Sequence, residues 1–369
     1  MIQRDIAGTS HARSFSISIV QVARRAHRLG CRVSVAGGGR VCFSIQGLGY
    51  NSGLRISITG NANAAQIEGA INSAIDTVEG LYRPNNVSVT VDFSYTPGAP
   101  GNLLTTHEEF YGYTYRAYTN ALKADSAANP LNTSLAIAVA NLSKGNDSDG
   151  TSRMAIAYAQ ALLLANYGLA TPAFVINASI NINSDQPFDF TRPVPSNQYD
   201  AIGGLEHELD EVLGGGGPGS TLNEILNNCT TNPTNFFCGR FGPTDLYRYS
   251  APGIPSFTTS GTATSYLSID GGVTNVVDFN QNSRGDYGDF APPGAGAGQL
   301  IQNAFNGTGE DEAYTISSPE FLMEEAIGWA STAQVAAPEP GTLVLFGTSL
   351  LSLAALRRRR KQASLALRR

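Results

Sequence analysis

Gly204 to Gly217 read G-L-E-H-E-L-D-E-V-L-G-G-G-G, and the reading of this stretch decides the fold. At about 100° per helical residue, Glu211 falls about 40° and Glu208 about 100° from His207, so all three share one face. Two donors one turn apart, with a carboxylate beside them, is how a helix presents metal ligands and a general base. Tyr199, Ile202, Leu205, Leu209, Val212 and Leu213 supply apolar positions, and the pattern predicts a helix from Ser196 to a stop at Gly214. The second ligand of such a helix is usually His; here it is Glu211. On pattern alone, H-E-x-x-E also reads as a solvated charged face, so the surrounding chain has to decide.

A chain of 369 residues with 42% hydrophobic content is long enough for one large core or two smaller ones. Only 15% of residues are charged while glycine is abundant, which fits an exported, loop-rich protein. A net charge of −6 gives no reason to expect nucleic acid as a partner. Histidine is confined to His11, His27, His107 and His207, so oxygen ligands are the expected supplement to any metal site. The cysteines fall into two pairs, Cys31/Cys42 and Cys229/Cys238. Neither has C-x-x-C spacing, and the turn-rich loop between Cys229 and Cys238 favours a disulfide over zinc.

Residues 1–42 stay unassigned. Ser14 to Ala23 is weakly apolar and is followed at once by Arg24, Arg25, Arg28 and Arg32, so no signal peptide is legible; either export takes another route or the native start lies elsewhere. Leu54, Ile56 and Ile58 alternate as a strand, and Ile67, Ile71, Ile75 and Val78 mark a helix over about 62–82. Val87 to Tyr95 alternates as a second strand. Thr106 with Glu109 reads as a capping box opening a helix to about Lys123, its stripe of Tyr111, Tyr115, Tyr118 and Leu122 facing the core. Leu135, Ile137 and Val139 among alanines read as a buried strand, and Ser152 to Tyr167 as a helix stopped by Gly168. Phe174 to Asn183 alternates apolar with Asn and Ser residues, either an edge strand that accepts an extended peptide or a solvated sheet face. Beyond residue 217 the chain is loop-rich, with a hairpin at Tyr266–Phe279 and a last helix from Ser318 to Ile327 closed by Gly328.

Residues 331–337 read as a linker. Pro338-Glu339-Pro340, an apolar run from about Leu343 to Leu356, the basic cluster Arg357 to Lys361 and a basic tail over 362–369 then follow. The apolar run is shorter than the ~20 residues of a comfortable span, yet with its basic flank it reads as a membrane-engaging stop signal. This tail resembles the PEP-CTERM sorting signal of exported bacterial proteins. The resemblance implies processing by an exosortase-type enzyme, transient membrane anchoring and delivery to the cell envelope or extracellular matrix.

H-E-L-D-E-V-L-G resembles the H-E-x-x-H-x-x-G helix of zincin metallopeptidases, and of metzincins in particular. It is also similar to a family of metalloproteases carried on PEP-CTERM proteins, through D-L-Y-R-Y-S-A-P-G (Asp245–Gly253), S-I-D-G-G-V-T-N and G-D-Y-G-D-F. The resemblance implies an α+β, zincin-like fold over 43–330: a twisted mixed sheet with an active-site helix to about residue 217, then a loop-rich C-terminal subdomain over 218–330. It implies a protein- or peptide-hydrolysing enzyme with Zn2+ or another divalent metal on His207 and Glu211, and Glu208 as general base. Glu211 stands where the second His belongs, and Gly217 where the third ligand would follow. Asp245 is the first choice for that third ligand, Glu224 the second and His107 the third, while Tyr249 or Tyr247 is expected to donate to the oxyanion. Such an oxygen-rich site is a weaker Lewis acid and less selective for zinc. Asp270, Asp278, Asp286 and Asp289 lie in Gly/Asn-rich loops where Ca2+ is a further candidate, but ordinary turn chemistry fits their spacing better. The main alternative is a non-catalytic surface or matrix protein on the same scaffold; another metal-dependent hydrolase is a third reading.

Overall fold

Helix α1 (Ala64–Tyr82) forms where the apolar spacing predicts it, and Ile67, Ile71, Ile75 and Val78 are all buried. Each such side chain contributes roughly 1.5–3 kcal/mol when fully buried. The computed structural model describes residues 64–331 apart from 83–84, 86, 88, 143–152, 174–177, 225–228, 230 and 293–299. The expected strand at Leu54, the Cys31/Cys42 pair and the C-terminal tail lie outside the described residues.

After α1 come β1 (Val91–Thr96), β2 (Leu104–His107), β3 (Phe110–Thr114), α2 (Tyr115–Ala128), α3 (Thr133–Ala140), β4 (Arg153–Ala157), α4 (Tyr158–Ala165) and β5 (Ala178–Asn183). The two-residue strands β6 (Phe188–Asp189) and β7 (Tyr199–Asp200) lead into α5 (Ala201–Leu213), followed by the single turn α6 (Leu222–Glu224). The remainder holds β8 (Arg240–Phe241), β9 (Arg248–Ala251), β10 (Ile254–Pro255), β11 (Tyr266–Leu267), β12 (Val277–Asp278) and α7 (Pro319–Ala326). The architecture is mixed α+β. Its sheets run β1-β5-β2, β3-β4-β8 and β10-β9-β11-β12, beside the β6-β7 pair. One apolar cluster runs from Ile67 on α1 through Leu205 and Leu209 on α5 to Phe279, Phe290 and Trp329, so both halves of the chain share it.

Several sequence expectations are corrected here. Thr106 and Glu109 do not open a helix: β2 and β3 occupy this stretch, and Thr114 caps α2 by accepting from the Ala117 amide. Leu135, Ile137 and Val139 lie on α3 rather than on a strand. Asn132 caps that helix through the Leu135 amide, and Ile137 is exposed. The expected helix at Ser152 begins as β4 and turns into α4 only at Tyr158. Strand β5 is not an edge: β1 pairs with it in parallel on one side and β2 antiparallel on the other. Its asparagines are engaged internally. Asn181 accepts from Ser94 and Thr96, and Asn183 binds Gly98 N, Ala99 O and Asn102 O. The Cys229–Cys238 disulfide, the β11–β12 pairing and α7 with Gly328 at φ +119° stand as expected.

Candidate metal centre and its surroundings

Helix α5 starts five residues later than its sequence pattern, at Ala201, because Asp200 caps it by accepting from the Ile202 amide. It ends on Gly214 at φ +110°, and the Trp329 indole donates to the Leu213 carbonyl at its last turn. The helix packs against α1, α4, α7 and β2. Contact with β2 is close: a Cβ on Gly204 would stand 2.6 Å from Leu104 Cδ1, so a larger residue there would have to displace that leucine side chain.

That packing brings Thr106 of β2 over the helix, where its hydroxyl donates to Glu208 Oε2. His207 is fixed from the other side, with Nδ1 2.6 Å from the Ile301 carbonyl and the neighbouring Gln302 amide donating to the His207 carbonyl at 2.9 Å. A carbonyl only accepts, so Nδ1 carries a hydrogen and Nε2 is the nitrogen left for a ligand. Nε2 faces Glu211 Oε1 at 3.5 Å. Ligand atoms of His207, Glu208 and Glu211 all lie within 4.8 Å of one another, so the helix face drawn from sequence assembles as expected.

The third-ligand assignment needs correcting. Asp245 is buried elsewhere, accepting from Ser220 Oγ at 2.5 Å, Thr221 N at 3.0 Å and Gly242 N at 2.7 Å. It stitches the segment after α5 to the turn before β9, and it belongs to neither ligand group. Glu224 ends α6 and also belongs to neither; His107 is exposed on β2. Of the two tyrosines, Tyr249 donates to the Asn141 carbonyl and Tyr247 to the Ala326 carbonyl, and both are buried. Asp270 and Asp278 do perform turn chemistry, binding Thr274 and Asn275 respectively.

Asp286 and Asp289 do not. Carboxylate oxygens of Glu211, Asp286 and Asp289 form a second group within 4.8 Å of one another. The loop reaches the glycine run just past α5 by backbone contact, since a Cβ on Gly288 would meet Gly216 O at 2.0 Å. A Cβ on Gly217 would stand 2.8 Å from Glu211 Oε1 and 2.9 Å from Asp286 Oδ2, so glycine there keeps open the space between the two carboxylates. G-D-Y-G-D-F was visible in the sequence. What pointed to its role was the glycine between two acids, facing a second glycine run.

The electrostatics of the assembly are lopsided. Burial pushes Glu211 well up, and Glu208, Asp286 and Glu108 push it further. Burial likewise raises Glu208, Asp286, Asp289 and Glu108. Burial alone would lower His207, but Asp289 and Glu208 lift it to about 9. Asp289 Oδ1 and Glu108 Oε2 are buried with no hydrogen-bond partner. Five carboxyl groups around one imidazole, two with orphaned oxygens, make a donor set that suits a divalent cation.

No curated protein and no solved structure matches the chain. Among the described residues, no helix is long and apolar enough to cross a membrane. The PEP-CTERM protein-sorting motif matches residues 336–360, which indicates an exported, envelope-sorted protein, and such signals are recognised by exosortase-type processing enzymes.

Proposed function

We propose that this chain is an exported metal-dependent endopeptidase with a zincin-like arrangement, in which Glu208 is the general base. The observation that carries the reading is the convergence of His207 Nε2 and Glu211 Oε1 beside a Glu208 carboxyl tethered by Thr106. His207 and Glu211 are the helix donors for the metal, and the Asp286–Asp289 loop brings a second carboxylate group up to Glu211. With a divalent metal bound there, the scissile carbonyl would be polarised and the attacking water acidified.

The chain's own groups divide the remaining work. Thr106 anchors the Glu208 carboxyl through Oε2, and that carboxylate takes the water's proton and returns it to the leaving amine. The Ile301 carbonyl keeps His207 Nε2 turned towards Glu211. Strand β2 is the outer strand of its sheet and lies against α5, so an extended peptide pairing with it would pass over Glu208. The edge expected at β5 is thus replaced by β2, one strand nearer to the helix.

The test is cleavage of casein by the metal-loaded full chain and by Glu208→Gln. The reading predicts cleavage by the first and none above background by the second, with equal metal content. Retained cleavage in the variant removes Glu208 as base. A wild type that holds metal and cleaves no peptide favours the non-catalytic surface protein.

A further inference from the structure

Glu211 belongs to two ligand groups that overlap nowhere else: His207/Glu208/Glu211 and Glu211/Asp286/Asp289. Its Oε1 faces His207 Nε2 at 3.5 Å, and the same atom stands across Gly217 from Asp286 Oδ2. Asp289 is 3% exposed, its Oδ1 has no partner, and it stands in the second group. Asp286 Oδ1 is held by the Asn223 amide, which leaves Oδ2 towards Glu211.

From this arrangement we infer that the site takes two divalent cations, with Glu211 bridging a zinc-class ion at His207 and a hard, calcium-class ion at Asp286 and Asp289. This rests on the reading of His207 and Glu211 as a metal site. The chemistry of the two groups differs: the first includes an imidazole nitrogen, which suits zinc, whereas the second is all carboxylate oxygen, which suits calcium or manganese. The Gly217 cradle keeps room for the second ion, which any side chain there would fill.

Equilibrium dialysis of the chelator-stripped full chain against zinc and calcium together, with bound metals counted by mass spectrometry, tests the inference. The expected result is about two divalent ions per chain, one zinc and one calcium. Asp286→Asn and Asp289→Asn should each lose the calcium and keep the zinc, and the retained zinc reports that the site has folded. Zinc alone in the wild type, or calcium retained in both variants, overturns the second position while leaving the first. Loss of both metals in both variants, with the metal-free melting temperature unchanged, also overturns it, because a single ion would then use every donor. No bound metal of either kind overturns the proposed function as well.

Discussion

Thr106 anchors the Glu208 carboxyl through Oε2, and it does so from a strand rather than from a helix cap. Thr106→Val keeps the shape and removes the hydroxyl. It should lower kcat for casein cleavage about 10–100-fold while metal content stays unchanged, as is typical when a supporting hydrogen bond to a catalytic group is lost. Asp245 calls for the opposite pattern. It accepts from Ser220, Thr221 and Gly242 in a buried turn, so Asp245→Asn should cost about 1–3 kcal/mol in urea unfolding with metal stoichiometry untouched. Loss of metal in Asp245→Asn would restore it as a ligand. The spacing H-E-L-D-E told which residues share a face because helical periodicity is local. It was silent on Asp286 and Asp289, whose place depends on a backbone contact between Gly288 and Gly216 that no local pattern encodes.

At the scale of elements, α1, α5 and α7 were legible because each joins a long apolar stripe to a distinct stop. Residues 104–114 and 133–140 were not. T-H-E-E (Thr106–Glu109) has the form of a capping box, yet pairing of β2 with β5 wins, since it covers the sheet edge and places Leu104 on Gly204. The Leu135-Ile137-Val139 alternation is diluted by alanine, the best helix former, and with Asn132 to cap it the segment goes helical. Packing of α2 carries its own pH dependence. Burial raises the Asp125 carboxyl to about 7, against hydrogen bonds from Asn129 and Tyr167 that lower it, and Oδ2 has no partner. An acid raised on folding binds its proton more tightly in the native state, so its contribution to stability falls as pH rises from about 4 towards 7. Asp125→Asn should therefore melt close to wild type at pH 4 and measurably above it at pH 8. Equal shifts at both pH values would contradict the assignment.

For the whole molecule, the distribution of buried charge is the dominant fact. A single apolar core joins the two halves of the chain, and the acidic loop from the second half closes over the helix from the first. Metal binding should therefore stabilise the entire fold. Chelator-stripped protein is expected to melt several degrees lower than metal-loaded protein, by about 3–4 kcal/mol of linkage at saturating metal, and Glu211→Gln should lose most of that difference. Address and fold class were thus readable from sequence, whereas the closing of the site required the tertiary contact between the halves. The central claim is that His207 and Glu211 hold a catalytic divalent metal, and metal content is its most direct measurement. Quantitative metal analysis of the purified full chain should find a stoichiometric divalent ion in the wild type that is lost in His207→Ala. A wild type that binds no stoichiometric metal after incubation with zinc would contradict it.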